Sequence, residues 1–93
     1  MIKHIVMWKL LDATQAPRFK AELDSCKGLV PGMREFEVAT RVDGLEANHD
    51  VVLYSTFDDA AALEAYIVHP HHKKVSAFLG TLRESRAVLD YQA

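Results

Sequence analysis

A chain of 93 residues with a single cysteine and a formal charge of -2 reads as one domain, residues 1–93, with no internal disulfide and a reducing, cytoplasmic setting. Its charged residues, 26 % of the total and of both signs, leave no basic footprint for nucleic acid, and no apolar run approaches a membrane span. A chain this short buries only about 60–65 % of the surface its unfolded form exposes, so pairing with a second copy is a natural source of further burial.

Residues 2–11 are β-branched and aromatic enough for a strand. Alternation puts His4, Val6, Trp8 and Leu10 on one face and Ile5 and Met7 on the other, so both faces are apolar. The chain enters this strand directly, without signal-peptide organisation. Asp12, with Gln15 three residues on, has capping-box spacing, and Thr14 is the alternative cap. Phe19, Leu23, Cys26 and Val30 then recur at helical spacing, Gly28 is a helix stop, and residues 29–32 carry turn chemistry in Pro31 and Gly32.

Residues 33–43 alternate with Phe36, Val38, Thr40 and Val42 on one face and Glu35, Glu37 and Arg41 on the other, the pattern of a one-sided edge strand. A polar loop runs from Asp43-Gly44 to about Asp50, and residues 51–57 form a strand with Val51, Leu53 and Phe57 opposite Val52 and Tyr54. Asp58 or Asp59 caps a helix over residues 60–68 whose buried stripe is Leu63, Tyr66 and Ile67. Pro70 breaks that helix and suits the first turn of another, running to about Leu79 with His72, Val75 and Leu79 on one face. Residues 85–91 close the chain as a last strand.

The order βαββαβ is the ferredoxin-like α+β arrangement, a four-stranded antiparallel sheet with helices on one side. The first and third strands are the central pair in that topology, and they are the two with apolar side chains on both faces. Helices cover only one face, so the other requires a cover, and a second subunit supplies it in a sheet-on-sheet homodimer.

The block from Tyr66 to His72 gathers a phenol and three imidazoles around Pro70. His69 and His72 are three apart, but the proline spoils shared ligation and no cysteine or carboxylate stands at ligand spacing, so no metal is expected. His69 is expected to bond the free carbonyls at the helix end, His71 to face solvent and His72 to face inward. Cys26, within an apolar stripe, reads as an inert buried thiol. Only four glycines and no phosphate loop leave no nucleotide, and no cofactor is expected.

The opening Ile2-Lys3-His4-Ile5-Val6-Met7-Trp8-Lys9-Leu10, the Val30-Pro31-Gly32 turn, the Tyr66-Ile67-Val68-His69-Pro70 block with Lys73, and the closing Ser85-Arg86-Ala87-Val88-Leu89-Asp90-Tyr91 together resemble the stress-responsive A/B barrel family. The resemblance spans nearly the whole chain and implies a dimeric α+β barrel. It implies, from the polyketide-cyclase branch, that Tyr66 and His72 do acid/base work in a pocket between helices and sheet, with His4 lining it. Leu23 stands where those cyclases have a pocket tyrosine and Arg83 where they have a tryptophan, so a different substrate is implied. The expected function is binding of a small, largely apolar molecule by His4, Val6, Trp8, Phe19 and Leu23. Cofactor-independent cyclase- or lyase-like chemistry would accompany it, with His72 as base and Tyr66 as the orienting hydroxyl. The alternatives are a non-catalytic stress or stability protein, in which these side chains only fill the interior, and a monooxygenase-like barrel.

Overall fold

Four strands and three helices follow one another through residues 1–93 of the computed structural model. Strand β1 (Ile2–Leu10) leads through a 3-10 turn (Ala13–Gln15) into helix α1 (Ala16–Asp24), then β2 (Met33–Thr40) and β3 (Val51–Phe57). Helices α2 (Ala60–Val68) and α3 (Pro70–Leu79) precede β4 (Arg83–Gln92). The sheet is antiparallel in the order β2-β3-β1-β4, with the two doubly apolar strands in the centre. No helix is long and apolar enough to cross a membrane.

Local chemistry fixes the element ends. The Asp12 carboxylate accepts from the backbone N–H of Thr14 at 3.0 Å and from its hydroxyl at 2.7 Å, and Pro17 sits in the first turn of α1. The Asp59 carboxylate accepts from Ala62 N–H at 2.8 Å and starts α2. His69 precedes a proline and is therefore extended, at φ -60° and ψ 133°. That backbone turns its side chain to the next helix: Nδ1 accepts from His71 N–H at 3.1 Å, so the imidazole caps the start of α3 rather than bonding the carbonyls at the end of α2 as expected from sequence, while the backbone N–H of His69 donates to the Tyr66 carbonyl and closes α2. Asp50, unremarked in the sequence, is a buried clamp that accepts from Leu10 N–H at 2.7 Å while its own N–H donates to the Trp8 carbonyl.

The core lies between the helices and the sheet face that bears Val6, Trp8, Leu10, Leu53 and Phe57, against Phe19, Leu23, Tyr66, Val75 and Leu79. Two predicted members are outside it. β2 ends at Thr40, leaving Val42 exposed, and Ile67 flanks the buried stripe of α2 at 37 % exposure. No helix covers the opposite sheet face, where Ile5 and Met7 of β1 meet Tyr54 and Val52 of β3 and Leu89 and Ala87 of β4. Leu89 is 64 % exposed there and Met7 39 %.

Gly32, in the connection from α1 to β2, lies tightly against the start of α2. Its φ is +87°, and a Cβ built on it falls 2.8 Å from Ala62 Cβ at the start of α2. Gly28 has a similar φ, +74°, but nothing within 4 Å of such a Cβ. Gly32→Ala is therefore expected to cost about 2–3 kcal/mol and Gly28→Ala only about 1 kcal/mol, the backbone share alone. Urea midpoints of the two variants test this; equal losses would show that contact with Ala62 contributes nothing.

Candidate functional site

The edge position of β4 creates the site. All ten of its residues are exposed, because the helices lie over β1, β2 and β3. The gap left between α3 and β4 is a cavity of about 350 Å³, within the range of small-molecule sites. Val6, Trp8, Leu23, Leu53, Val75 and Leu79 give it an apolar floor and wall.

His4 enters from β1, 5 % exposed, with its carbonyl held by the Ser55 hydroxyl at 2.8 Å. Register places Asp90 of β4 directly beside it, and the two form a hydrogen-bonded pair through His4 Nδ1. A carboxylate accepts from Nδ1–H, so Nε2 is the atom of His4 left for a ligand. His72 enters from α3. Its Nδ1–H donates to the Ile67 carbonyl at 2.9 Å across the Pro70 break, which leaves the lone pair of Nε2 free. Burial pushes the His72 pKa below the usual imidazole value, and the nearby His4, Arg86 and His69 push the same way against the Ile67 hydrogen bond. His72 is thus held as a neutral base.

The ring of Tyr66 is 0 % exposed and lies 4.4 Å from the His72 ring, centroid to centroid, with Phe36, Phe57 and His4 around it. Its hydroxyl faces inward, away from solvent, and has no hydrogen-bond partner; the buried Cys26 thiol is the polar group that bears on it. Burial first, and Cys26 second, raise the phenol far above its usual pKa. Tyr66 thus also lines the cavity, its ring packed beside His72 and its hydroxyl buried.

Of the other expected lining residues, His4, Val6, Trp8 and Leu23 border the cavity. Phe19 does not: it is fully buried and stands edge-on to Trp8, with centroids 5.0 Å apart. His71 is not a free surface group either, since its Nε2 meets the Ser25 hydroxyl at 2.8 Å and ties α3 to the end of α1. Cys26 is buried, and burial raises its pKa, as befits an inert thiol.

Three charged residues of β4 line the cavity: Arg83, which the resemblance had placed at the pocket in the position of a tryptophan, and Arg86 and Asp90, which the sequence did not bring to it. Asp90 and Arg86 pair with His4 and Trp8, so the alternation of β1 carried over to β4 was the available signal for both. Arg83 needs the register shift between Lys9 and Leu10, a bulge that brings it opposite Leu10 where plain alternation would put Glu84.

The geometry yields a first prediction for His72. A group whose folded pKa lies below its unfolded value of about 6.5 leaves the folded state with fewer bound protons, so its contribution is fully present above about pH 6.5 and is lost as pH falls. Wild type is expected to lose more stability than His72→Gln between pH 7.5 and 5, read from urea midpoints. Parallel losses would show that His72 is not held neutral.

Residues 2–93 match the family described as Stress responsive A/B Barrel Domain. An uncharacterised protein of Streptomyces coelicolor is 32 % identical over 78 residues, which cover 78 % of this chain and 80 % of that protein. A protein of Bacteroides fragilis, described as dimeric, ferredoxin-like and of unknown function, superimposes with a TM-score of 0.82 at 29 % identity, covering 99 % of this chain and 95 % of that one. A protein from a Jannaschia species, likewise described as dimeric and ferredoxin-like, gives 0.80 at 28 % identity over 99 % and 98 % of the two chains. With its sheet order, its broken second helix and a match from end to end, the chain belongs to the stress-responsive A/B barrel family.

Proposed function

We propose that this protein is a homodimer that binds a small carbonyl compound in the cavity of each subunit and moves a proton on it without a cofactor. The observation that carries this reading is the convergence of two anchored imidazoles on one open cavity: His72 through Ile67, and His4 through Asp90. His72 Nε2 takes a proton from the carbon next to the carbonyl, leaving an enolate and an imidazolium. His4 is the second proton carrier, and Asp90 balances its charge whenever Nε2 is protonated. Tyr66 is a positioning residue that holds the plane of His72. An open cavity at these groups supports ligand binding over the reading in which the stable dimer is itself the product. The uncovered apolar sheet face supports the dimer, as do the dimeric relatives from Bacteroides fragilis and Jannaschia.

The test is exchange of α-protons of small ketones in D2O, followed by NMR, alongside a thermal-stabilisation screen of the same compounds. Wild type is expected to accelerate exchange, and His72→Ala to lose roughly 10²–10⁴-fold of that acceleration. A compound that stabilises both proteins equally and exchanges equally in both would place the chemistry elsewhere.

A further inference from the structure

Building on the cavity reading above, we infer that the compound taken here carries a single carboxylate, held by Arg83 and Arg86 at the β4 wall while the rest of the molecule lies against the apolar floor. Both arginines line the cavity. They occupy inward positions of one strand, Arg86 by alternation and Arg83 through the bulge, so a local irregularity serves to aim a second guanidinium at the same space.

Neither guanidinium has an acidic partner. The ion pairs of the chain join Lys9 to Glu84, Lys20 to Asp24, Arg34 to Asp58 and Arg41 to Asp50, and Asp90 accepts a hydrogen bond from the neutral His4 ring. Asp90, the carboxylate of the cavity wall, is thus engaged by His4, and Glu84 is turned to Lys9 on the other side of the strand. Two arginines against one aspartate leave the cavity with one uncompensated positive charge, in a protein whose formal charge is -2. One carboxylate balances it; a phosphate dianion would overshoot. Guanidinium groups also suit the planar, two-oxygen geometry of a carboxylate. The apolar remainder of the wall selects an organic acid rather than a bare inorganic anion.

The same arrangement bears on His72. Arg86, His4 and His69 all disfavour its protonated form, with Arg83 and Asp90 as the other charged groups of the cavity. A carboxylate on Arg86 offsets that opposition, so an anionic ligand makes His72 a better proton acceptor than a neutral one does.

Titration of 3-phenylpropanoate, 3-phenylpropanamide and phenyl phosphate tests the inference, with the imidazole NMR signals of His72 and His4 as the readout. Wild type is expected to bind the acid roughly 10–100-fold more tightly than the amide, with an advantage that shrinks as salt rises. Arg83→Gln/Arg86→Gln is expected to lose that advantage and keep its affinity for the amide; both positions are exposed, and a thermal melt checks the fold. Equal binding of acid and amide by wild type, or a preference that survives in the double variant, overturns the inference while leaving the cavity reading intact. Tighter binding of phenyl phosphate than of the acid overturns the assignment to a carboxylate. No perturbation of His72 and His4 by any probe at millimolar concentration overturns both. Arginine-dependent binding of the acid without α-proton exchange would uphold the inference and remove the catalytic reading alone.

Discussion

Tyr66→Ala is expected to cost about 3–5 kcal/mol, and Tyr66→Phe to be neutral or to stabilise by about 1 kcal/mol. The ring is fully buried among Phe36, Phe57, His4 and His72, so its removal combines lost burial with a cavity at the join of α2, α3 and the sheet. Against a typical domain stability of about 5–15 kcal/mol, such a loss brings the alanine variant close to unfolding. The hydroxyl is different. It is buried without a hydrogen-bond partner, and a polar atom in that state opposes folding, so its deletion removes a cost and leaves the packing in place. Urea denaturation of the three proteins checks both halves. A loss of 2 kcal/mol or more in Tyr66→Phe would reveal a bond to the hydroxyl and revive its role as a donor. The functional corollary follows from the same geometry: Tyr66→Phe keeps the α-proton exchange that His72→Ala loses, because the ring packs beside His72 and no hydrogen bond joins the hydroxyl to it.

The contrast between ring and hydroxyl marks where sequence reasoning reaches its limit. Period-two alternation identified β1 and β3 as two-sided and therefore central, and Pro70 divided the helices where the chain divides them. Each is a strictly local rule. The helical stripe of Phe19 and Leu23 correctly pointed both side chains inward, yet only Leu23 reaches the cavity, since depth depends on what Trp8 already covers. His69 illustrates a competition between two local rules. Position after α2 suggested a helix-end residue, but the backbone imposed by the following proline turns its imidazole forward to cap α3. The surroundings of the Tyr66 hydroxyl were illegible for another reason: they are set by residues distant in sequence, Cys26 among them. The inward turn of Arg83 could not be read from alternation, since it depends on the bulge at Lys9/Leu10, which no residue type in that stretch announces; only the resemblance had placed it at the pocket. The apolar pocket expected from the first strand and helix is therefore half the site, and β4 supplies the charged half.

Met7→Glu is expected to convert the proposed homodimer into a folded monomer of 10.5 kDa. Met7 lies near the middle of β1, paired with Val52 and Ala87, on the face that no helix covers. In a sheet-on-sheet dimer that face is the interface, with the paired sheets about 10 Å apart and side chains interdigitated between them. Two-fold symmetry would bury two glutamates for one substitution. Each ionised carboxylate taken out of water without a partner costs several kcal/mol, so dissociation should weaken the dimer by at least about 10³-fold. Within a single subunit the cost is small, because Met7 is already 39 % exposed. Sedimentation equilibrium at micromolar concentration checks the mass, and circular dichroism checks the fold. A variant that remains dimeric would place the interface on another surface, and a monomeric wild type would remove the dimer altogether. The cavity provides the decisive comparison. Val6 and Trp8, the neighbours of Met7 in sequence, point to the opposite face and line the cavity with His4 and His72. Every residue proposed for binding and proton transfer comes from one subunit. The monomeric variant should therefore bind 3-phenylpropanoate as wild type does, with its reduced stability confined to the lost burial between sheets. If binding disappears together with the dimer while the fold persists, the partner completes the site, and the uncovered sheet face is as much a part of the chemistry as the helices that cover the other.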